Sequence, residues 1–150
     1  MMWKTHIVFG VLCGLLALNI YDAGNLWIFF LLVVLGSLLP DIDERHSKIN
    51  KGLSIVRWLS IFVKHRGIFH SIFIPLLLGS IIWTIFDIVY ALPLFIGYVS
   101  HLVIDSFTKT GINFLHPIAK FRISGFVETG SILETFIFIG ISAGIIVLLV

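Results

Sequence analysis

The stretch "GYVSHLVIDSFTKTG", residues 97–111, decides how the rest of the chain is read. Its first half is apolar, yet it carries an imidazole, His101, and a carboxylate, Asp105, four residues apart. Residues at i and i+4 of a helix stand one above the other on the same face. The pattern therefore predicts a greasy helix, over about 92–107, with a polar pair in its last turns and Lys109 just beyond. That spacing lets an imidazole and a carboxylate hold one metal ion, as the two histidines of a zincin helix do. The plainer alternative is a hydrogen-bonded His–Asp pair that stabilises a helical bundle. An ionisable residue at membrane depth is costly and points to function.

Outward from that helix, the whole chain is of one kind. Of its 150 residues, 59% are hydrophobic and 12% charged, with a mean hydropathy of +1.11. A soluble domain is about 45–50% apolar and about 25% charged, so the composition is that of a membrane protein. Five apolar runs occur, at roughly 6–20, 26–39, 70–90, 92–107 and 132–150. Crossing the hydrocarbon takes about 20 helical residues, and the first, second and fourth runs fall short of that. They reach across if polar residues buried in a bundle extend each helix, and the residues at the short ends are His6, Asp41 and Asp105. The segment "LSIVRWLSIFV", 53–63, is too short to span and reads as a helix in the headgroup layer. The expectation is a single all-α domain over 1–150, a polytopic membrane bundle of about five transmembrane helices plus one short interfacial helix. The opening "MMWKTHIVFGVLCGLL" has a signal-peptide outline without a convincing cleavage site, and reads as a retained helix. Cys13 lies inside it and cannot form an internal disulfide.

Charge sets the orientation. If the chain crosses five times, segments 1–5, 40–69 and 108–131 share one side. All ten basic residues fall there: Lys4, Arg45, Lys48, Lys51, Arg57, Lys64, Arg66, Lys109, Lys120 and Arg122. The other side holds none, only Asp22 and Asp87. The positive-inside rule makes the first side cytoplasmic and the C-terminus external. The same count puts His6, Asp41, Asp43, His65, His70, His101 and Asp105 at one membrane level, the cytoplasmic ends of the helices.

Each motif there has a chemistry. "LPDIDE" ends a helix at Pro40 and presents Asp41 and Asp43, two carboxylates in a tight turn, which suit a divalent cation. Acids at a helix C-terminus oppose the dipole, a mismatch that a cation would offset; Glu44 reads as surface. "HRGIFHS" brings His65, Arg66 and His70 to the start of the third helix; imidazole suits zinc and similar metals. Arg66 suits phosphate or carboxylate. His6 lies above Gly10 and Gly14, whose spacing permits a close helix contact that would draw His6 inward. Gly140 and Gly144 repeat the spacing in the last helix, where packing is the better explanation. His116 reads as a loop residue. Lys48, Lys51, Arg57 and Lys64 read as lipid contacts.

"KTHIVFG", "GSLLPDIDE", "HRGIFHS" and "GYVSHLVIDSFTKTGINFLHP" together resemble a known family over about residues 1–120. It is the YdjM-like family, labelled as membrane-bound metal-dependent hydrolases and as LexA-binding, inner-membrane-associated. The resemblance implicates His6, Asp41, Asp43, His65, Arg66, His70, His101 and Asp105, and it matches Thr108 and Gly111 after the carboxylate. The motifs are also similar, distantly, to the zinc phospholipase C and P1 nuclease group.

The expected function is a metal-dependent hydrolase of phosphoesters, lipids among them. Its metal would be zinc, one to three ions, held by His6, Asp41, Asp43, His65, His70, His101 and Asp105. A bound cation acidifies its water. Asp41 or Asp43 would take the proton or bridge two metals, while Arg66 and Lys109 would hold the anionic substrate. Two other classes use the same ligands: a scaffold or regulator that needs metal only to fold, and a metal-ion transporter. The transporter would need a polar path onward, and the far halves of the helices offer little beyond Asp22 and Asp87. Ten basic residues without a stacking array give no expectation of nucleic acid. Membrane lipid is the expected partner, and the oligomeric state is left open.

Overall fold

Among the described residues five α-helices form where the apolar runs predict them, and short polar side chains cap the start of three of them. A computed structural model describes residues 1–43, 68–119 and 121–150, apart from the side chains of 42 and 43. Helix α1 (Trp3–Ala17) leads to a turn in which Asp22 Oδ1 accepts from the Gly24 amide at 3.0 Å. Asn25 then caps α2 (Leu26–Leu38), its side chain accepting from the amides of Trp27 and Ile28. Pro40 lacks an N–H for the α-helical ladder, and the chain tightens into a 3₁₀ turn, Leu39–Asp43. A second 3₁₀ turn, Ile68–His70, precedes α3 (Phe73–Ile85). Helices α4 (Ile88–Ser106) and α5 (Ile132–Leu149) complete the set. The interfacial helix expected over 53–63 lies outside the described residues.

One boundary differs from the expectation. The break between the third and fourth runs falls at Phe86–Asp87, not at 90–92, because Asp87 caps α4 by accepting from the Val89 amide at 3.0 Å. A carboxylate that satisfies an orphan donor is a stronger start signal than Pro93, which the second turn of α4 absorbs. Residues given to the third run thus belong to α4. Helix α3 shortens to 13 residues and α4 lengthens to 19. Only α4 and α5, among the described residues, are long and apolar enough to cross a membrane; α1, α2 and α3 have 15, 13 and 13 residues. Among those residues there is no strand, only isolated bridges pairing Thr108 with Val127 and Ile112 with Ile123.

Helix α4 is the axis of the bundle, with α1, α2 and α3 packed around it and α5 laid against α1. The α2–α4 contact is a backbone contact. A Cβ at Gly97 would run into the Val33 carbonyl oxygen, and one at Gly36 into that of Leu94. Gly10 of α1 packs on Ser37 and Ser100, and Gly14 on Phe29, Phe30 and Val33, so the expected close approach of α1 is present. Gly140 and Gly144 differ: no described heavy atom lies within 4 Å of a Cβ at either.

Helix α5 is held mainly at its start. Ser131 Oγ accepts from the Glu134 amide at 3.3 Å, the first half of a capping box. The Glu134 carboxylate, fully buried, reaches away from its own helix. Its Oε2 accepts from the Gly130 amide, and its Oε1 from the Met2 amide and the Thr5 hydroxyl, at 2.6, 2.6 and 3.0 Å. Beyond this clasp Ile137 and Ile141 pack on Met1, Ile104 and Val127, while Ile132, Phe136, Ile139 and Ile146 to Val150 are exposed. An apolar surface of this kind marks a contact with a membrane or with another protein.

Between α4 and α5 the chain folds back on itself. Lys109 and Val127 donate through their amides to the carbonyls of Val127 and Phe107 at 2.9 and 3.0 Å, and Ile112 and Ile123 exchange two bonds of 2.9 Å. Gly111, at φ +58°, takes the left-handed turn this requires, close against Ile123. The Ile72 amide donates to the Phe114 carbonyl at 3.0 Å, which ties this segment to the start of α3.

Candidate metal centre

His101 and Asp105 face the middle of the bundle, the first fully buried and the second 2% exposed. His101 Nδ1 lies 2.7 Å from the Ser37 carbonyl oxygen at the C-terminal end of α2. A carbonyl only accepts, so Nδ1 carries the proton and Nε2 presents its lone pair. That atom has no hydrogen-bond partner.

Three other segments bring side chains to the same place. From α1, His6 stacks on His101, with ring centres 3.8 Å apart and planes 11° from parallel. It is fully buried, and neither ring nitrogen is hydrogen-bonded. His70 meets His101 edge-on at 5.4 Å. Its position follows from the Tyr98 hydroxyl donating to the Phe69 carbonyl and the Ser71 hydroxyl donating to that of Ile68, at 2.7 and 2.6 Å. Asp41, from the 3₁₀ turn after α2, directs Oδ1 to within 3.6 Å of His101 Nε2.

Asp105 stands between the imidazoles. Its Oδ1 lies 3.4 Å from His6 Nε2 and accepts a 2.6 Å hydrogen bond from the Met1 amino nitrogen. Its Oδ2 lies 3.8 Å from His70 Nε2 and 3.7 Å from His101 Nε2. These N···O separations exceed those of a good hydrogen bond, about 2.7–3.2 Å. They are near the edge of a tetrahedron of ligands about 2.0–2.2 Å from a metal, about 3.3–3.6 Å. Two triads result, His6–Asp41–His101 and His70–His101–Asp105, each with ligand atoms within 4.8 Å of one another and sharing His101. Buried imidazole nitrogens without donors or acceptors, beside carboxylates, are a donor set that fits a divalent cation of the zinc type.

Five of the residues expected in the site are therefore together: His6, Asp41, His70, His101 and Asp105. His65 and Arg66 lie outside the described residues, as does the side chain of Asp43. Lys109 is turned elsewhere. Its side chain is 61% exposed and donates to Glu128 Oε2 at 2.8 Å; that bond and the ammonium charge hold the Glu128 carboxyl below its ordinary range. Thr108 and Gly111 serve the backbone. The Thr108 hydroxyl donates to the Asp105 carbonyl at 2.7 Å and accepts from the Gly111 amide at 3.1 Å, so the motif after the carboxylate closes the helix. His116 lies in the 107–130 segment, away from the triads. Sequence reasoning missed Glu134. The signal was present in "SILE", 131–134, where Ser followed three residues later by Glu marks a helix start.

The YdjM inner membrane protein profile matches residues 1–149, a range that includes all five convergent ligands and runs past the expected limit near 120 into α5. The chain belongs to the YdjM inner membrane protein family. It is 31% identical to the "Uncharacterized protein YvsG" of Bacillus subtilis (strain 168), a match covering 93% of this chain and 88% of that one. It is 28% identical to the "Inner membrane protein YdjM" of Escherichia coli (strain K12), over 88% of this chain and 74% of that one. The Shigella flexneri protein of the same name matches to the same extent. No solved structure matches the chain. Membership in a family of inner membrane proteins supports an inner-membrane location, in agreement with the bare apolar surface of α5.

Proposed function

We propose that this chain is a membrane-bound, metal-dependent hydrolase of phosphoesters. The observation that carries the reading is the set of ligands from four segments, all buried but the half-buried Asp41, spaced as the edges of a coordination shell and lacking hydrogen bonds at His6 and at His101 Nε2. A divalent cation held there would polarise a phosphoryl oxygen and acidify a water molecule. His101 is kept in the ligating tautomer by the Ser37 carbonyl, the outer contact that orients a metal-binding imidazole. Asp105 offers one oxygen to each side of the cluster. Asp41, 17% exposed, is the most open of the five, and it would take up the proton released from the bound water.

Metal analysis of purified protein, with a screen of phosphoester substrates, tests this. The expected result is about one equivalent or more of bound zinc or a similar ion, with hydrolysis that a chelator abolishes and added metal restores. Protein that stays metal-free after incubation with zinc would overturn it. A second reading, a scaffold that uses metal only to fold, draws on the depth of the cluster, because closed four-ligand sites are structural. In that case chelation lowers the melting temperature and no phosphoester is turned over.

The topology proposed with this function has five spans, the N-terminus and the cluster on the cytoplasmic side. The ten-to-none distribution of basic residues supports it, and the 3₁₀ turn Leu39–Asp43 adds reach to short α2. In a Cys13→Ala background, Asp22→Cys is expected to react with an impermeant maleimide in intact cells. Thr110→Cys should react only after permeabilisation. The reverse pattern would invert the orientation.

A further inference from the structure

A groove walled entirely by apolar side chains runs between α1, α4, α5 and the 107–130 segment, with a volume of about 230 Å³. Met1, Phe9, Ile104, Phe126, Ile137 and Ile141 are among its walls. Its outer end is on α5, where Ile137 and Ile141 border the exposed apolar surface of a helix long enough to cross a membrane. On its inner side no metal ligand lines it, but its walls adjoin the cluster: Ile104 is the chain neighbour of Asp105, and the amino nitrogen of Met1, whose side chain lines the groove, touches Asp105 Oδ1. The space thus lies between the apolar surface of α5 and residues that contact Asp105.

We propose that this groove takes one acyl chain of a membrane phospholipid, whose phosphate is thereby brought to the His/Asp cluster. The inference rests on the hydrolase reading above and names its substrate class. Three features select the occupant. An apolar cavity does not hold water. A space of this volume is too narrow for a helix, about 10–12 Å across with its side chains. The lipid-facing surface continues into it without a polar barrier, so the molecule at hand is an acyl chain. Phe126, 71% exposed, is among the groove's walls, where an exposed apolar ring suits lipid.

The test uses the full chain in nanodiscs containing a phosphatidylglycerol with a diazirine in one acyl chain, and adducts are mapped by mass spectrometry. Adducts should concentrate on Phe9, Ile137 and Ile141. Ile137→Trp, which fills the groove, should lower those on Phe9 and Ile141 by about tenfold, as for excluding about two methylenes from burial. Adducts on Ile146, 62% exposed farther along α5, should persist. If Ile137→Trp does not fold, Ile141→Trp replaces it. Adducts spread evenly along α5 and indifferent to the tryptophan would overturn the proposal, and so would a second copy of the chain covering Ile137 and Ile141. Labelling needs neither metal nor turnover, so it separates the two readings. With the chelator present, the groove pattern should remain even if no phosphoester is hydrolysed. In the active protein, Ile137→Trp should lower hydrolysis of the long-chain lipid about tenfold more than that of p-nitrophenyl phosphate. Equal retention of both would remove the groove from the substrate path and leave the hydrolase reading standing.

Discussion

Gly97→Ala is expected to leave little folded protein. The new methyl group would have to occupy the space of the Val33 carbonyl oxygen, and the Val33 carbonyl carbon and Ser37 nitrogen are also too near. A side chain in the way can change rotamer, but here the obstacle is the backbone of α2. The helices must separate where Val33 and Ser37 meet Gly97 and where Leu94 and Tyr98 meet Gly36, all buried. Overpacking typically costs about 1–3 kcal/mol. A rigid backbone obstacle puts this case above that, at about 4 kcal/mol or more, a large fraction of a domain's stability. Gly36→Ala meets the Leu94 carbonyl and should behave alike. Gly140→Ala is the control. Open space surrounds it, and alanine in a helix is favoured over glycine by about 0.5–1 kcal/mol. Thermal melting in detergent reads all three. A Gly97→Ala protein that melts with the wild type would show that the helices do not meet as described.

Asp105→Asn is expected to remove most of the bound metal and the activity with it. The amide keeps the shape of the carboxylate and one acceptor oxygen but lacks the charge. It would stand between His6 on one side and His70 and His101 on the other, where both carboxylate oxygens now lie. A metal shell is a single unit, so His101→Ala should lose about as much, and the double variant should be little worse than either. A simple buried hydrogen-bond network predicts a different pattern. Metal content would stay the same, and each single change would cost about 1–3 kcal/mol by stranding its partner. Metal content by mass spectrometry, beside melting temperature, separates the cases. Full occupancy in Asp105→Asn would dismiss Asp105 as a ligand.

The parts that were readable in the sequence were those governed by helix periodicity. His101 and Asp105 share a face because four residues make about one turn, and Gly10 predicted the approach that buries His6. Asp41 followed from Pro40, which ends α2 and turns the next residues inward. What periodicity does not encode was missed. Lys109 is close to Asp105 along the chain, but Thr108 ends the helix between them and the lysine leaves toward Glu128. The turn at Asp87 was hidden because both runs beside it are apolar, and only a capping side chain marks the break. Glu134 was missed because its partners Met2 and Thr5 are 132 and 129 positions away along the chain.

The Glu134 clasp has a consequence for how the molecule is made. Residues 2 and 134 are separated by 132 positions, so the bond between them forms only once the chain through α5 has been made. Contacts of such sequence separation close late, after the local ones. Until α5 arrives, the amide of Met2 and the hydroxyl of Thr5 lack their carboxylate, and the groove lacks the wall formed by Ile137 and Ile141. The arrival of α5 thus acts as a latch. It completes both the anchoring of α1, which carries His6, and the apolar groove lined by Met1 and Ile104, and before it neither is in place.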